Sequence, residues 1–312
     1  MTAAFARRSP VAVGLALATV YLVWGSTYLA IRITDRTMPP FLMSSARFLF
    51  AGAALYAFAS RGQPRPTLRQ WGSAAIVGAA LLLVGNGGVA WAETRLESGL
   101  AALIVAIIPL WIALMDRVFF GRRLSTPAVA GLVIGFAGVA LLARPGGGTN
   151  VGATLALLFA TTGWAGGSLY ARGARLPEST LLAASMQMLA ASLFLAITGF
   201  ASGETSGIHA DSFAAKPVLA FVYLVVVGSL IAFSAYAWLL KNVRISLVAT
   251  YPFVNPVVAV ALGTLFLNEG IRWTTVVAGA AIVIAVALIV TARTPAPKPV
   301  VVEPREPLRA AA

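Results

Sequence analysis

Long apolar stretches, separated by short polar or glycine- and proline-containing connections, occupy nearly the whole chain. A helix that crosses a bilayer needs about 20 mostly apolar residues. The connections are mostly short, so we expect consecutive helices to be antiparallel neighbours. The pattern predicts ten spanning helices, at 11–33, 40–59, 71–92, 99–118, 126–143, 152–171, 178–200, 218–240, 247–267 and 273–292.

The amino-acid composition supports a membrane-embedded chain. Of its 312 residues, 59% are hydrophobic and only 11% are charged, whereas a soluble domain has about 45–50% apolar and roughly 25% charged residues. So few charged residues cannot cover the apolar surface of a water-soluble fold of this size. We therefore predict an all-α integral membrane protein that has the lipid bilayer as a partner.

Cysteine is absent from the sequence, and His209 is its one histidine. These counts exclude disulfides, thiolate metal sites, cysteine nucleophiles and clusters of imidazole ligands. We therefore expect neither a metal nor a cofactor. His209 lies among polar residues in the longest connection, 201–217, and we interpret it as a solvated loop residue.

The net charge of +13 has a topological explanation. Lys and Arg collect in the cytoplasmic loops of membrane proteins. Ten spans place both termini on one side, and most of the basic residues lie on that side. The distribution predicts that both termini are cytoplasmic and makes a nucleic-acid partner unnecessary. We expect 1–10 to be a cytoplasmic N-terminus and the proline-rich 293–312 to be a disordered cytoplasmic tail.

The two halves of the chain share an ordered set of landmarks. Trp24 precedes a Gly-Ser-x-Tyr segment in the first predicted helix, and Trp164 precedes Gly-Ser-x-Tyr in the sixth. Pro109 and Pro256 are equivalent at an offset of 147. The pattern predicts repeats at 11–145 and 151–292, with five helices each. Because five is odd, the second repeat must be inverted in the membrane, an arrangement typical of secondary transporters.

Four segments carry a resemblance to a known family: 23–30 (VWGSTYLA), 86–93, 98–111 and 251–260. They resemble the drug/metabolite transporter superfamily, specifically proteins with two EamA domains and most closely the YedA-like bacterial inner-membrane permeases. The resemblance covers 11–292. It implies a ten-helix, inverted-repeat exporter of small organic metabolites in the bacterial inner membrane.

One position departs from the family pattern. Such proteins often carry Gly-Glu after the fourth helix, whereas this chain has Gly121 followed by Arg122 and Arg123. Glu269 keeps the acid in the second half only. A symmetric role for two acids is therefore not expected here.

Aromatic and hydrogen-bonding side chains recur at one-turn spacing inside several predicted spans. Polar side chains in a bilayer face a partner or a cavity, and small-molecule pockets are mostly apolar with a few polar groups. The alternative is that the aromatic residues form belts at the membrane interfaces and the hydroxyls join helices. The predicted substrate-binding residues are Trp24, Tyr28, Asn86, Trp164, Ser168, Phe233, Tyr236, Tyr251 and Asn255.

Two charged residues inside or near spans are candidates for charge steering or coupling. Arg47 lies about 10 Å into the second helix. It either extends to the outer face, paired with Glu93 or Asp35, or steers a substrate carboxylate. Glu93 lies near the end of the third helix and is a candidate for proton coupling.

Prolines mark candidate hinges. Pro252 and Pro256 lie close together in the ninth helix and predict a kink or a broken segment there, because each lacks a backbone donor. The fourth helix has Pro109 alone. The alternative is that these kinks are purely architectural.

We expect a secondary transporter that exports small organic metabolites, such as amino acids or drug-like solutes, by alternating access of the two repeats. The alternative is a channel or a non-transporting membrane sensor. An enzyme is disfavoured, because HExxH, GxSxG, paired carboxylates and a nucleophilic cysteine are all absent. ATP-driven pumping is disfavoured because no lysine completes a Gly-rich phosphate loop.

Gly-x-x-x-Gly motifs at 131–135 and 163–167 allow close contacts between helices. We expect these contacts to lie mainly within one chain, and therefore a monomer or a weak homodimer.

Overall fold

A computed structural model describes residues 9–121, 124–143, 150–243 and 251–291, and within these ranges the chain is helical and contains no strand. Two short 3-10 turns, Glu204–Gly207 and Ala210–Phe213, lie in the longest connection. The predictions for 1–8, Arg122, Arg123 and the tail 293–312 lie outside the described residues. The helices are α1 (Pro10–Thr34), α2 (Pro40–Ala59), α3 (Leu68–Glu93), α4 (Ser98–Phe120), α5 (Thr126–Ala143), α6 (Val151–Ala171), α7 (Thr180–Ala201), α8 (215–242), α9 (Tyr251–Leu267) and α10 (Trp273–Thr291).

A helix thus occurs at every predicted apolar stretch. Within the described ranges, seven are long and apolar enough to cross a membrane: α1, α2, α3, α4, α7, the 215–236 part of α8, and α10. Two shorter apolar helices are Thr126–Leu142 and Val254–Leu267. The structure therefore supports a multi-span membrane protein, while the count of ten spans stays a prediction.

Local sequence explains several helix starts. Pro10 and Pro40 occupy the first positions of α1 and α2, where proline's missing N–H costs nothing. Thr67 and Gln70 form a capping box at α3. Asn150 caps α6, its side-chain oxygen accepting from the Ala153 amide at 2.9 Å. These caps set the helix boundaries independently of the packing.

Three helices are interrupted, and only the interruption in α4 lies at a candidate hinge from the sequence. Ala79–Gly87 in α3 and Leu224–Ile231 in α8 are π-helical, and such segments are frequent at functional sites. In α4, the helix stops after Val105 and restarts at Ile108, next to Pro109. By contrast, α9 continues through Pro256 over Tyr251–Leu267. The proline interruption therefore falls in α4 rather than in the described part of α9.

Helices α2 and α7, which are equivalent in the two repeats, pack against each other in opposite directions. The Ser45 hydroxyl donates to the main-chain oxygen of Ser192 at 2.8 Å. Further along α2, Gly52 lies against Met188, earlier in α7. Ser45 and Ser192 are 147 positions apart, the same offset that separates Pro109 from Pro256.

The second equivalent pair, α5 and α10, is also antiparallel. Gly131 lies against Leu288, and Gly138 lies against Ala281. The other close contacts between the repeats match in the same way. Helix α1 packs on α8 and α9, and its equivalent α6 packs on α3 and α4, the equivalents of α8 and α9. Both pairs of equivalent helices that contact each other therefore run antiparallel.

Candidate functional site

A cavity lies between helices of both repeats, with about 930 Å³ of empty space including its open part. Helices α1 to α4 contribute from the first repeat, and α6, α8 and α9 from the second. Its lining residues are Trp24, Thr27, Tyr28, Ile31, Arg47, Phe48, Leu82, Gly85, Asn86, Val89, Ala102, Val105, Ala106, Ile108, Ala160, Thr161, Trp164, Gly228, Phe233, Tyr251, Asn255 and Pro256.

Most of the predicted binding residues meet at this cavity. Ser168 and Tyr236 do not line it. The Ser168 hydroxyl donates to the main-chain oxygen of Trp164 at 2.7 Å, one turn back along α6, and Tyr236 packs behind Trp24. The predicted residues that line the cavity are Trp24, Tyr28, Asn86, Trp164, Phe233, Tyr251 and Asn255.

Four aromatic residues, which we call the aromatic cluster, pack together at one side of the cavity: Trp24, Phe233, Tyr236 and Tyr251. The Trp24 ring centroid lies 5.8 Å from that of Phe233 and 5.1 Å from those of Tyr236 and Tyr251. Most of these contacts are edge-to-face, which is a favoured aromatic geometry. The cluster joins α1 of the first repeat to α8 and α9 of the second.

The two asparagines differ in their hydrogen bonding. With its amide oriented toward two carbonyls, Asn255 donates to the main-chain oxygens of Tyr251 and Tyr21, both at 3.2 Å, and so ties α9 to α1. Asn86 lies in the π segment of α3, and its side-chain oxygen accepts no hydrogen bond from a described residue. Asn86 thus has unused hydrogen-bonding capacity at the cavity wall.

Arg47 reaches the cavity from α2 and is only 5% exposed. Its Nε donates to the Ser229 hydroxyl at 2.9 Å, and its guanidinium lies 5.0 Å from the centroid of the Phe48 ring. Nη1 has no hydrogen-bond partner among the described residues. Neither the Glu93 nor the Asp35 carboxyl accepts a hydrogen bond from a described residue, although Asp35 lies close enough to Arg47 to interact with it electrostatically; the pairing stays a prediction.

Glu93 is fully buried at the end of α3 and does not line the cavity. Arg32 donates to its main-chain oxygen rather than to its carboxylate. Asp35 follows α1 nearby, and burial raises the pKa of the Asp35 carboxyl well above its usual range, although Arg32 and Arg47 act in the opposite direction. Glu93, Asp35 and Arg32 thus form a group of neighbouring ionisable residues, none of which lines the cavity.

Glu269 contacts the first repeat from the connection between α9 and α10. Its carboxylate accepts from the Ser98 amide at 2.9 Å, the Ser98 hydroxyl at 2.8 Å and the Gly99 amide at 3.3 Å. It thereby caps α4. The equivalent position in the first repeat is Arg122, which lies outside the described residues. The expectation that the two positions play different roles therefore stays a prediction.

The candidate hinges lie in different surroundings. Pro109 adjoins the interruption of α4, and Pro256 lines the cavity from within α9. Pro252 lies in the first turn of α9, and its side chain is outside the described part of the structure. The hinge roles stay predictions.

Sequence reasoning missed the small and hydroxyl-bearing lining residues, such as Ala102, Gly228 and Thr161. Thr161 accepts a hydrogen bond from the Trp111 indole at 3.0 Å. Alanine, glycine and threonine are frequent in every span of this chain, so no local signal distinguishes those that face the cavity.

The family profile of EamA-like transporters matches residues 12–144 and again residues 151–291. The chain belongs to the EamA-like transporter family. Two EamA repeats therefore span it, and the family and the relatives below are transporters. The matched residues include every lining residue of the cavity.

Among EamA relatives, the inner membrane transporter YedA of Escherichia coli (strain K12) is 41% identical over 255 residues, covering 80% of this chain and 81% of YedA. A "probable terminal-alkyne amino-acid exporter" of Streptantibioticus cattleyicolor is 26% identical over 262 residues, covering 81% of this chain and 85% of the exporter. One solved protein structure shares the fold, with a TM-score of 0.61 at 24% identity over 90% of this chain and 96% of its own.

Proposed function

We propose that this EamA protein is a secondary transporter that exports small organic metabolites by alternating access. The observation that carries the proposal is one cavity lined by both repeats, with aromatic walls and few polar groups. Such a lining is typical of small-molecule sites. The amino-acid exporter among the relatives favours amino acids or drug-like solutes as substrates.

The architecture that we propose is ten spans arranged as two inverted repeats. The antiparallel contacts of α2 with α7 and of α5 with α10 support it. In transporters of this kind, one repeat rocks against the other around a midplane site. We further propose that the protein lies in the bacterial inner membrane as a monomer or weak homodimer, with both termini cytoplasmic.

The cavity-lining residues predicted from the sequence are the proposed substrate contacts. Trp24 and Trp164, which precede the Gly-Ser-x-Tyr segments of the two repeats, both line the cavity. Glu93 and Arg47 are the proposed charged residues for coupling and steering. Pro109, Pro252 and Pro256 are the proposed hinges.

Solute binding and counterflow test this proposal. Purified protein is first screened by thermal shift against a panel of amino acids, organic acids and cationic dyes, because selective binding to the folded state raises the melting temperature. A radiolabelled hit then enters counterflow in proteoliposomes. We expect saturable counterflow in the wild type, which also separates a carrier from a channel.

Variants locate the site. Trp164→Ala and Asn255→Ala should lower counterflow at least tenfold, because both side chains line the cavity. Phe159→Ala is the matched control, since it removes an aromatic ring that is 68% exposed on the same helix as Trp164. Unchanged flux in both cavity variants contradicts the site, and absence of saturable counterflow for every hit contradicts the function.

A further inference from the structure

The charge of the cavity lining is unbalanced. Among the described lining residues, Arg47 is the one charged side chain, and neither Asp nor Glu lines the cavity. The remaining lining groups are apolar or aromatic, apart from two threonines and two asparagines. A solute in the cavity therefore meets a positive charge set in apolar walls.

The guanidinium of Arg47 is held in place but is not fully paired. Ser229 fixes Nε at 2.9 Å, and Phe48 packs against the cation. Nη1 has no described partner. Asp35 lies close enough to influence Arg47 electrostatically, yet neither of its carboxyl oxygens accepts a hydrogen bond.

The π segment of α8 lies against this guanidinium. It carries Ser229, which binds Nε, and Gly228, where an added Cβ would lie 3.4 Å from the Arg47 Nη2. The guanidinium thus approaches the main chain of the second repeat from a helix of the first. Both repeats position one cation.

A buried cation with an unpaired N–H group is unfavourable unless a partner supplies the missing hydrogen bond. The guanidinium fork matches a carboxylate in shape and charge, because it can donate two parallel hydrogen bonds. The walls around it, including Trp24 and Trp164, favour a flat or apolar body.

We propose that the cavity selects small organic carboxylates with an apolar or aromatic body, and that Arg47 binds the carboxylate. This inference rests on the proposed transport function and specifies its substrate class. The carboxylate completes the hydrogen bonding of the guanidinium, and the body lies between aromatic walls of the two repeats.

Three probes of similar size test the charge preference: phenylacetate, the neutral phenylacetamide and the cationic 2-phenylethylamine. Equilibrium dialysis with the purified wild type should show phenylacetate binding about 10- to 100-fold more tightly than phenylacetamide, the range expected for a charge-assisted hydrogen bond. The amine should bind most weakly. Equal binding of acid and amide, or no binding of either, overturns the proposal.

Variants assign the preference to one side chain. Arg47→Gln should abolish the preference, and Arg47→Lys should keep part of it, since lysine retains the charge but lacks the fork. Arg95→Gln is the matched control for net charge; Arg95 stacks on Trp91 and does not line the cavity, so this variant should behave as the wild type. A folded Arg47→Gln protein that retains the full preference overturns the assignment.

Ser229→Ala provides a second variant if Arg47→Gln does not fold. It removes the partner of Nε and should weaken phenylacetate binding while leaving phenylacetamide binding unchanged; equal weakening of both contradicts the proposal.

The transport proposal and the carboxylate proposal can fail independently of each other. Saturable counterflow of neutral or cationic solutes without carboxylate preference leaves the transporter standing and refutes the carboxylate. Preferential carboxylate binding without counterflow supports the carboxylate site and refutes the transporter.

Discussion

One carboxylate at the start of α4 links the two repeats. The first amides of a helix have no partner within the helix and carry partial positive charge. Glu269 accepts from the amides of Ser98 and Gly99, and from the Ser98 hydroxyl. A Cβ at Gly263 would occupy the space of this carboxylate, so a glycine in α9 makes the cap possible.

Removing this cap should destabilise the protein. We expect Glu269→Ala to lower the free energy of unfolding by about 0.5–2 kcal/mol, the usual cost of losing a helix cap. Glu269→Gln should lose less, because its amide oxygen still accepts. Glu178→Ala removes an exposed acid and serves as the control. Thermal unfolding in detergent measures the effect, and an unchanged melting temperature in Glu269→Ala would contradict the capping role.

At the scale of helices, α2 and α7 approach closely because α2 presents a glycine to its partner. An added Cβ at Gly52 would lie 2.9 Å from the Met188 Cβ and 3.1 Å from the Leu189 amide nitrogen. Such distances require the helices to move apart. Small residues at helix interfaces serve this purpose in membranes, where close packing rather than water exclusion drives association.

Two Gly→Ala substitutions separate packing from helix propensity. Gly52→Ala should destabilise the protein by about 1–3 kcal/mol through overpacking. Gly166→Ala, in α6, meets nothing within 4 Å and should be neutral or stabilising by up to about 1 kcal/mol, because alanine favours helices. Melting temperatures of both variants check this, and equal shifts would show that the α2–α7 contact carries no packing constraint.

At the scale of the whole molecule, the direction of the second repeat determines on which side of the membrane each connection lies. The α2–α3 connection of the first repeat is equivalent to the α7–α8 connection of the second. In inverted repeats these connections lie on opposite sides, whereas parallel repeats place them on the same side. The equivalent helices that contact one another are antiparallel, and this supports opposite sides.

Cysteine labelling tests this arrangement cleanly, because the chain has no cysteine of its own. Gln63 and Ser206 are exposed in the two equivalent connections. In intact spheroplasts, a membrane-impermeant maleimide should label Ser206→Cys at once and Gln63→Cys only after permeabilisation. Labelling of both from outside would refute the inverted repeat, and the reverse pattern would refute the cytoplasmic termini.

Sequence alone was sufficient to identify much of the candidate site. Trp24, Tyr28, Asn86 and Tyr251 were predictable because aromatic and polar groups inside apolar helices need a partner or a cavity. Tyr236 was predicted to line the cavity but packs behind Trp24. Helical spacing shows which residues of one helix share a face, but it does not show which other helix that face contacts. The partner of Arg47 was not predictable either, since Ser229 lies 182 positions away.

The sequence by itself determined the membrane class, the positions of the helices and the internal repeat. Apolar length, proline and capping residues act locally, and the bilayer imposes a fixed thickness. Only the tertiary structure decided which helix is interrupted, where the π segments lie and which small residues open the cavity. These features depend on contacts between helices distant in sequence, where a missing side chain such as that of Gly228 matters only because Arg47 lies opposite.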